Sequence, residues 1–325
     1  MKKSITLRDI AESLNLSAST VSKALNNSPE ISQNTKKRVH EAAALKHYIP
    51  NVSAQILKGY KTKSIGVVMP TLDSKFYTDA LNAIEQQTDD RNYRLILCIS
   101  NESYHKEVSC VNKLVQSQVD GIIISPAVET YQKKKFSHLT SVQDFKKALV
   151  LFDRISNNID CDKISINLDL MVEQQVLKLQ KDGYKRVGFI ASCMDEDAFN
   201  KCKTGYYNAI QNTGQPDLFF NAEATTGSKS YKHFIQEELP DALIVCDALL
   251  ALKIEELSSI RSKRNKEVEV VCLNQGNTLQ MSSSKIRFLS QNGSEQGKIS
   301  ADLMMDRVEG LLFPEPMQFV LESAV

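Results

Sequence analysis

No run of eighteen apolar residues occurs in this 325-residue chain, and no charged segment followed by a short apolar stretch opens it. A membrane-spanning helix is thereby excluded, and a soluble, cytoplasmic protein with no membrane partner is the expectation. Metal and redox signatures are missing as well. The seven cysteines, at 98, 110, 161, 193, 202, 246 and 272, contain no C-x-x-C pair. Their odd number and their apolar settings, as in Leu97-Cys98-Ile99 and Val245-Cys246, fit reduced core residues rather than a disulfide framework or a zinc ribbon. The five histidines, His40, His47, His105, His138 and His233, are scattered without ligand spacing. Neither a Gly-x-Gly-x-x-Gly nor a Gly-x-Ser-x-Gly is present. Gly293-Ser-Glu-Gln-Gly-Lys298 approaches a phosphate loop, but three residues instead of four separate its glycines and Ile299 follows the lysine, so the cradle and the magnesium hydroxyl are both lacking. No catalytic residues, metal or cofactor are expected, and the chain does not read as an enzyme.

A strong overall charge of either sign is also lacking, since the formal net charge is +1. That near-neutrality hides a split. Residues 1–63 hold eleven Lys or Arg against four Asp or Glu, a net of +7, and the remainder holds twenty-nine bases against thirty-five acids, a net of −6. A basic head on an acidic body is the distribution that phosphate binding by the head alone requires.

Within the head, the stretch Thr6 to Asn26 reads as a helix-turn-helix. Thr6 followed three residues later by Asp9 resembles a capping box and starts a helix near Leu7, along which Leu7, Ile10, Ala11 and Leu14 form one apolar stripe. Asn15 stands where the tight turn needs a left-handed residue. Ser17 then caps a second helix with Val21, Ala24 and Leu25 inward, leaving Ala18, Ser19, Thr20, Ser22 and Lys23 on the outer face. Small polar side chains there allow close approach to base edges in a major groove, although two short amphipathic helices also occur in proteins that never touch DNA. Ser32 starts a third helix through Leu45, with Lys36, Lys37 and Arg38 at its beginning.

Leu7-Arg-Asp-Ile-Ala11, Ser17-Ala-Ser-Thr-Val-Ser22, Asn26, Ser32 to Val39, and Tyr48-Ile-Pro-Asn51 with Ala54, Leu57 and Gly59 form an ordered pattern. That pattern resembles the lac repressor (LacI/GalR) family of bacterial transcription regulators. The resemblance implies that Ala18, Ser19 and Lys23 occupy base-reading positions, with Thr6, Ser17, Thr20, Ser22, Asn26, Asn51 and Ala54 in the expected DNA-contacting set. Most relatives carry Arg where Lys23 stands, and a lysine point charge discriminates guanine differently from a planar fork. Residues 51–58 are implied to be a hinge helix that places Leu57 as a wedge in the minor groove at the operator centre. Without the resemblance, Leu57 would be an ordinary apolar linker residue.

Beyond the basic linker to Lys63, short apolar runs alternate with helical patterns. Strands are expected at 65–69, 95–99, 121–125 and 148–152, then at 186–191, 218–220, 242–245, 268–273 and 286–289. Helices are expected at 76–91, 105–117, 171–181, 197–212, 230–238, 249–263 and 293–308. This rhythm indicates parallel sheets covered on both faces. The fold expected is a small all-α helix-turn-helix head followed by a two-lobed α/β body, periplasmic-binding-protein-like by resemblance, with ligand at the carboxyl ends of the strands. Domain boundaries follow: head 1–50, hinge helix and linker 51–63, and body 64–325. Within the body, lobe 1 comprises about 64–166 and 291–318, and lobe 2 about 167–290 and 319–325. The basic run Tyr131 to Phe136 is read as a solvated face.

The resemblance implies a small-molecule effector between the lobes, a sugar or sugar derivative in most relatives. Phe76 and Tyr77 match aromatic stacking positions, and Asp153 matches a carboxylate that accepts sugar hydroxyls. Three positions depart from the family pattern: Cys202 replaces an anchoring Arg, Cys246 an Asn, and Asn274 an Asp. A thiol is a weak donor where a guanidinium makes charge-assisted bonds. Asn274 and Gln291 complete the expected effector-binding set. The function implied is a homodimeric regulator, a repressor, that binds a pseudo-palindromic double-stranded DNA operator and responds to the effector. Two alternatives stay open: a small-molecule binding protein whose head no longer binds DNA, and a regulator whose effector pocket has decayed.

Overall fold

Capping chemistry sets where the first helix begins. In the computed structural model, which describes residues 5–25, 27–46, 48, 61–192, 196–211, 213–222, 230–260, 268–273 and 285–322, Thr6 has an extended backbone at φ −104° and ψ 162°. Its Oγ1 accepts the Asp9 N–H at 3.3 Å while Asp9 Oδ2 accepts the Thr6 N–H at 2.7 Å, a reciprocal box that starts α1 (Leu7–Leu14). Asn15 ends α1 in the left-handed region, at φ 53° and ψ 44°. Ser17 Oγ then accepts the Thr20 N–H at 3.0 Å and opens α2 (Ala18–Leu25). Ser32 Oγ accepts the Thr35 N–H at 3.2 Å and opens α3 (Gln33–Leu45). Ile10, Ala11, Val21, Ala24, Val39 and Ala43 form the core these helices share. The chain divides into two compact units, Met1–Thr62 and Lys63–Val325.

The second unit alternates strand and helix. In order it runs β1 (Ser64–Met69), α4 (Lys75–Asp90), β2 (Arg94–Ile99), α5 (Tyr104–Gln116), β3 (Gly121–Ile124), α6 (Val128–Gln132), α7 (Ser137–Asp144), β4 (Ala148–Phe152) and β5 (Asp162–Ile166). Then come α8 (Leu168–Lys181), β6 (Val187–Ala191), α9 (Glu196–Gln211), β7 (Phe219–Asn221), α10 (Tyr231–Glu238), β8 (Ala242–Val245), α11 (Ala248–Ile260), β9 (Glu269–Cys272), β10 (Arg287–Phe288), α12 (Gly293–Glu309) and β11 (Gln318–Leu321). Two parallel sheets result, ordered β11-β5-β4-β3-β1-β2 and β10-β9-β8-β6-β7. Inner strands such as β1, β3 and β8 are buried along their whole length, as strands covered on both faces must be.

Helix α12 returns from the second sheet to pack on α4 and on the first sheet. Its two glycines permit that. A Cβ on Gly293 would lie 2.4 Å from the Phe76 carbonyl oxygen, and one on Gly297 would lie 2.3 Å from that of Ala80. The glycine spacing that approached a phosphate loop therefore serves close helix packing.

Two strands escape the sequence expectation, β5 and β11, and β11 corrects a lobe boundary. Residues 319–321 were expected in the second lobe, but Gln318–Leu321 pairs in parallel with Lys163–Ile166 at the edge of the first sheet. The cause is a polar clip. Arg307 on α12 forks onto Asp162 at 2.7 and 2.9 Å, and Asp162 Oδ1 also accepts the Met317 N–H at 2.8 Å, which delivers the chain to the β5 edge. The basic run spans the end of α6 and the approach to α7, with Lys133, Lys134 and Lys135 exposed.

Candidate functional site

The head presents α2 outward. Val21 and Ala24 point to the core, so the helix phase leaves Ser17, Ser19 and Lys23 exposed, with Ala18, Thr20 and Ser22 half-buried beside them. The Ser17 and Thr20 hydroxyls lie 2.8 Å apart, and both sit at the helix N-terminus, where backbone N–H groups favour an anion such as phosphate. Lys23 forms an ion pair with Glu30. Both side chains are about half or more exposed, at 47% and 65%, so the pair is weak and holds the lysine only loosely. Lys37 and Arg38 on α3 are exposed as well.

In the body, the carboxyl ends of strands from both sheets surround a cavity of about 170 Å³. Asp153 follows β4 directly, Ser192 follows β6, Cys246 follows β8 and Leu273 follows β9; all four line the wall. Asp153 has a left-handed backbone at φ 63° and donates its N–H to the Ile164 carbonyl at 2.9 Å and to Gln296 Oε1 at 3.1 Å. Its Oδ2 accepts the Tyr77 hydroxyl at 2.6 Å and the Ser125 hydroxyl at 3.2 Å. Phe76 and Tyr77 meet edge to face at 5.0 Å on the same wall. Burial, which outweighs the opposing Arg154 charge and is reinforced by the Asp153 and Glu102 carboxylates, pushes the Tyr77 phenol well above its ordinary range, so it stays a proton donor to Asp153.

Among the described residues two cations reach the cavity, and each is already matched. Arg154 forks onto Glu102 at 2.8 and 3.0 Å and donates to the Pro126 carbonyl at 3.0 Å. Burial disfavours its charge, but the Asp153 and Glu102 carboxylates beside it favour the charge, and its pKa is raised. Lys201 on α9 pairs with Asp197 one turn earlier at 2.6 Å. Asp247 Oδ1 accepts the Leu250 N–H at 2.8 Å, filling the start of α11 with a carboxylate. A wider cleft of about 860 Å³ adjoins the cavity and shares Tyr131, Ile155, Ser192, Asp197 and Lys201 with it.

Residues 6–51 match the model of the lacI family of bacterial regulatory proteins, and residues 62–252 match that of the periplasmic binding proteins and sugar binding domain of the LacI family. The second match alone covers more than half of the chain. The protein belongs to the lacI family. It is 26% identical over 328 aligned positions to the HTH-type transcriptional regulator RegA of Clostridium saccharobutylicum, covering 98% of this chain and 96% of that one. Catabolite control protein A of Priestia megaterium is 27% identical over 77% of this chain and 76% of its own. The crystal structure of the lac repressor dimer bound to operator and the anti-inducer ONPF superposes with a TM-score of 0.76 at 18% identity, over 99% of this chain and 98% of that one, a likeness of fold. This lacI-family member is accordingly a DNA-binding transcription regulator.

Of the positions nominated from sequence, Phe76, Tyr77, Asp153, Cys246 and Gln291 come together on the cavity wall. Cys202 does not. It is fully buried in the core of the second lobe with Tyr206 and Ala209, one stripe of α9, whereas Asp197 and Lys201 on the neighbouring stripe reach the cavity. Asn274 lies outside the described residues, as do Asn26, Asn51, Ala54 and Leu57. Thr6 caps α1 through its reciprocal box with Asp9 and is exposed at the start of the helix. Sequence reasoning missed Arg154, Ser192, Lys201 and Asp247. Three of these adjoin nominated residues, and Ser192 is the first residue past a strand, so the strand-end rule was the signal available for it.

Proposed function

We propose that this regulator is a repressor that binds a pseudo-palindromic operator as a homodimer in the cytoplasm, and that a small ligand in the cavity between its sheets alters operator affinity. The observation carrying this reading is α2, whose caps and core phase turn small polar residues and Lys23 outward. Ser17, Ala18, Ser19, Thr20, Ser22 and Lys23 form the proposed DNA-contacting face, with Thr6, Asn26, Asn51, Ala54 and Leu57 added from the family pattern. Relatives support it: one neighbour was crystallised on operator DNA, and another is described as a complex with cellobiose. Phe76, Tyr77, Asp153, Cys246 and Gln291, with Arg154, Ser192, Lys201 and Asp247, form the proposed ligand wall. The proposed domain division is a head to residue 50, a hinge and linker to 63, and the body beyond.

Selection of bound duplexes from a random library at fixed salt tests the reading, comparing wild type with Leu57→Ala. A pseudo-palindrome whose binding the substitution weakens, with nonspecific affinity unchanged, is the expected result. No enriched sequence would leave the head a nonspecific clamp.

A further inference from the structure

Four carboxylates lie among the first sixty-three residues, and one of them stands against the outer face of α2. We infer that Glu30 is a specificity-determining residue: with Lys23 it forms a donor and acceptor couple that reads one G·C base pair, the ammonium on guanine and the carboxylate on the cytosine amino group. This rests on the proposal that α2 enters the major groove of an operator.

The placement of Glu30 is built into the backbone. Helix α2 ends with the Asn27 N–H donating to the Ala24 carbonyl at 3.1 Å and the Ser28 N–H to that of Lys23 at 3.0 Å, across a left-handed Asn27 at φ 53°. Lys36 Nζ donates to the Asn27 carbonyl at 3.1 Å and ties this end to α3. Ser28-Pro-Glu-Ile31 then forms a turn closed by the Ile31 N–H on the Ser28 carbonyl at 3.2 Å, with proline in its second position. Ile31 packs on the head core, and the carboxylate of Glu30 is set on the Lys23 ammonium. Among the described residues neither charged group has another partner, and an exposed pair of this kind adds little to the stability of the head.

Charge argues for a role in selection. In a head region of net +7 that meets a polyanion, a carboxylate beside an outward-facing lysine lowers affinity for DNA in general, because it lies near phosphates and neutralises one cation. Only a base that donates a hydrogen bond offsets this. Lysine donates and ionised glutamate accepts, whereas in the major groove guanine O6 and N7 accept and cytosine N4 donates. The couple therefore matches a G·C pair. In A·T the one amino donor lies between two acceptors, which a carboxylate reaching for it also meets. Because the ion pair is solvated and loose, turning both groups onto base edges breaks little.

Selection of bound duplexes at fixed salt, followed by fluorescence anisotropy at several salt concentrations, tests this on the full-length protein with Glu30→Ala, Glu30→Gln and Lys23→Ala. The Glu30 side chain is 65% exposed, so its variants should melt as wild type does. The wild-type consensus is expected to hold one G·C pair per half-site whose replacement by A·T weakens binding about tenfold. Glu30→Ala should relax the preference at that pair alone, and Glu30→Gln should move it toward adenine, whose N6 and N7 an amide holds at two points. On random-sequence duplexes both variants should bind more tightly and steepen the log–log salt slope by about one, since Lys23 is released to a phosphate. In a Lys23→Ala background, Glu30→Ala should leave the slope unchanged. A consensus unaltered by Glu30→Ala, an altered position that is not G·C in wild type, or equal steepening with and without Lys23 would overturn the inference and leave the operator reading standing. If neither wild type nor any variant enriches a sequence, the operator reading fails and the inference with it.

Discussion

Asn15 and Gln175 illustrate how single side chains are held to account by their surroundings. Asn15 accepts a left-handed backbone so that α1 and α2 can turn tightly. Asn15→Ala is expected to cost about 1 kcal/mol in thermal or denaturant unfolding, while Asn15→Gly should be near neutral, because only the alanine Cβ opposes that conformation. Equal effects of the two would refute the backbone argument. Gln175 is the opposite case. It is fully buried on the α8 stripe with Met171 and Leu179, and among the described residues neither its Oε1 nor its Nε2 has a partner. Gln175→Met keeps the shape and removes the unsatisfied amide, so stability should rise by about 1–3 kcal/mol, read from the shift in urea midpoint. A fall would show that the amide has a partner role.

At the level of elements, α12 and its neighbours decide how the first lobe closes. Gly297 meets the Ala80 backbone, which cannot retreat as a flexible side chain would. Gly297→Ala should therefore destabilise by about 1–3 kcal/mol despite the higher helix propensity of alanine, and an increase in melting temperature would contradict the packing argument. The far end of α12 carries a charged knot. Glu309 accepts Arg91 at 2.6 Å, Tyr93 at 3.1 Å and Lys63 at 3.3 Å, while Arg91 also holds Asp306 at 2.7 Å. Partial burial alone would raise the Glu309 pKa, but these donors outweigh it and hold the carboxyl below its ordinary value of 4.5. A depressed folded-state pKa means stability that is present above 4.5 and lost as pH falls through the lower folded value. Unfolding scans from pH 6 down to pH 3 should show Glu309→Gln losing part of the wild-type acid sensitivity; identical profiles would remove the knot from the pH response.

Over the whole molecule, the decisive quantity is the separation of charge between a +7 head region and a −6 remainder. Such a chain binds polyanions through one end only, which keeps DNA affinity salt-dependent and the body from competing for phosphate. Lys37 is exposed on α3 and far from the outer face of α2 in sequence. Lys37→Ala is expected to weaken binding about equally across sequences and to reduce the log–log salt slope by about one, measured by fluorescence anisotropy at several salt concentrations. An altered sequence preference with an unchanged slope would place Lys37 at a base instead of a phosphate.

The helix-turn-helix was legible from sequence because its determinants act within one turn: Thr6 with Asp9, Asn15 alone, Ser17 with Thr20. The parallel strands were legible because burial on both faces writes continuous apolar runs such as Ile65 to Met69. Strand β11 was not, since its burial alternates at a sheet edge and its place depends on Asp162, 155 residues before Met317. Asp153 and Tyr77 could be nominated from sequence, but their 2.6 Å bond joins residues 76 apart. Likewise, the choice of Lys201 over Cys202 at the cavity, and the pairing of Arg154 with Glu102 across 52 residues, were settled only by packing. Short-range chemistry is written along the chain, whereas which charges meet, and which stripe of a helix faces a cavity, depends on how distant elements are brought together in three dimensions.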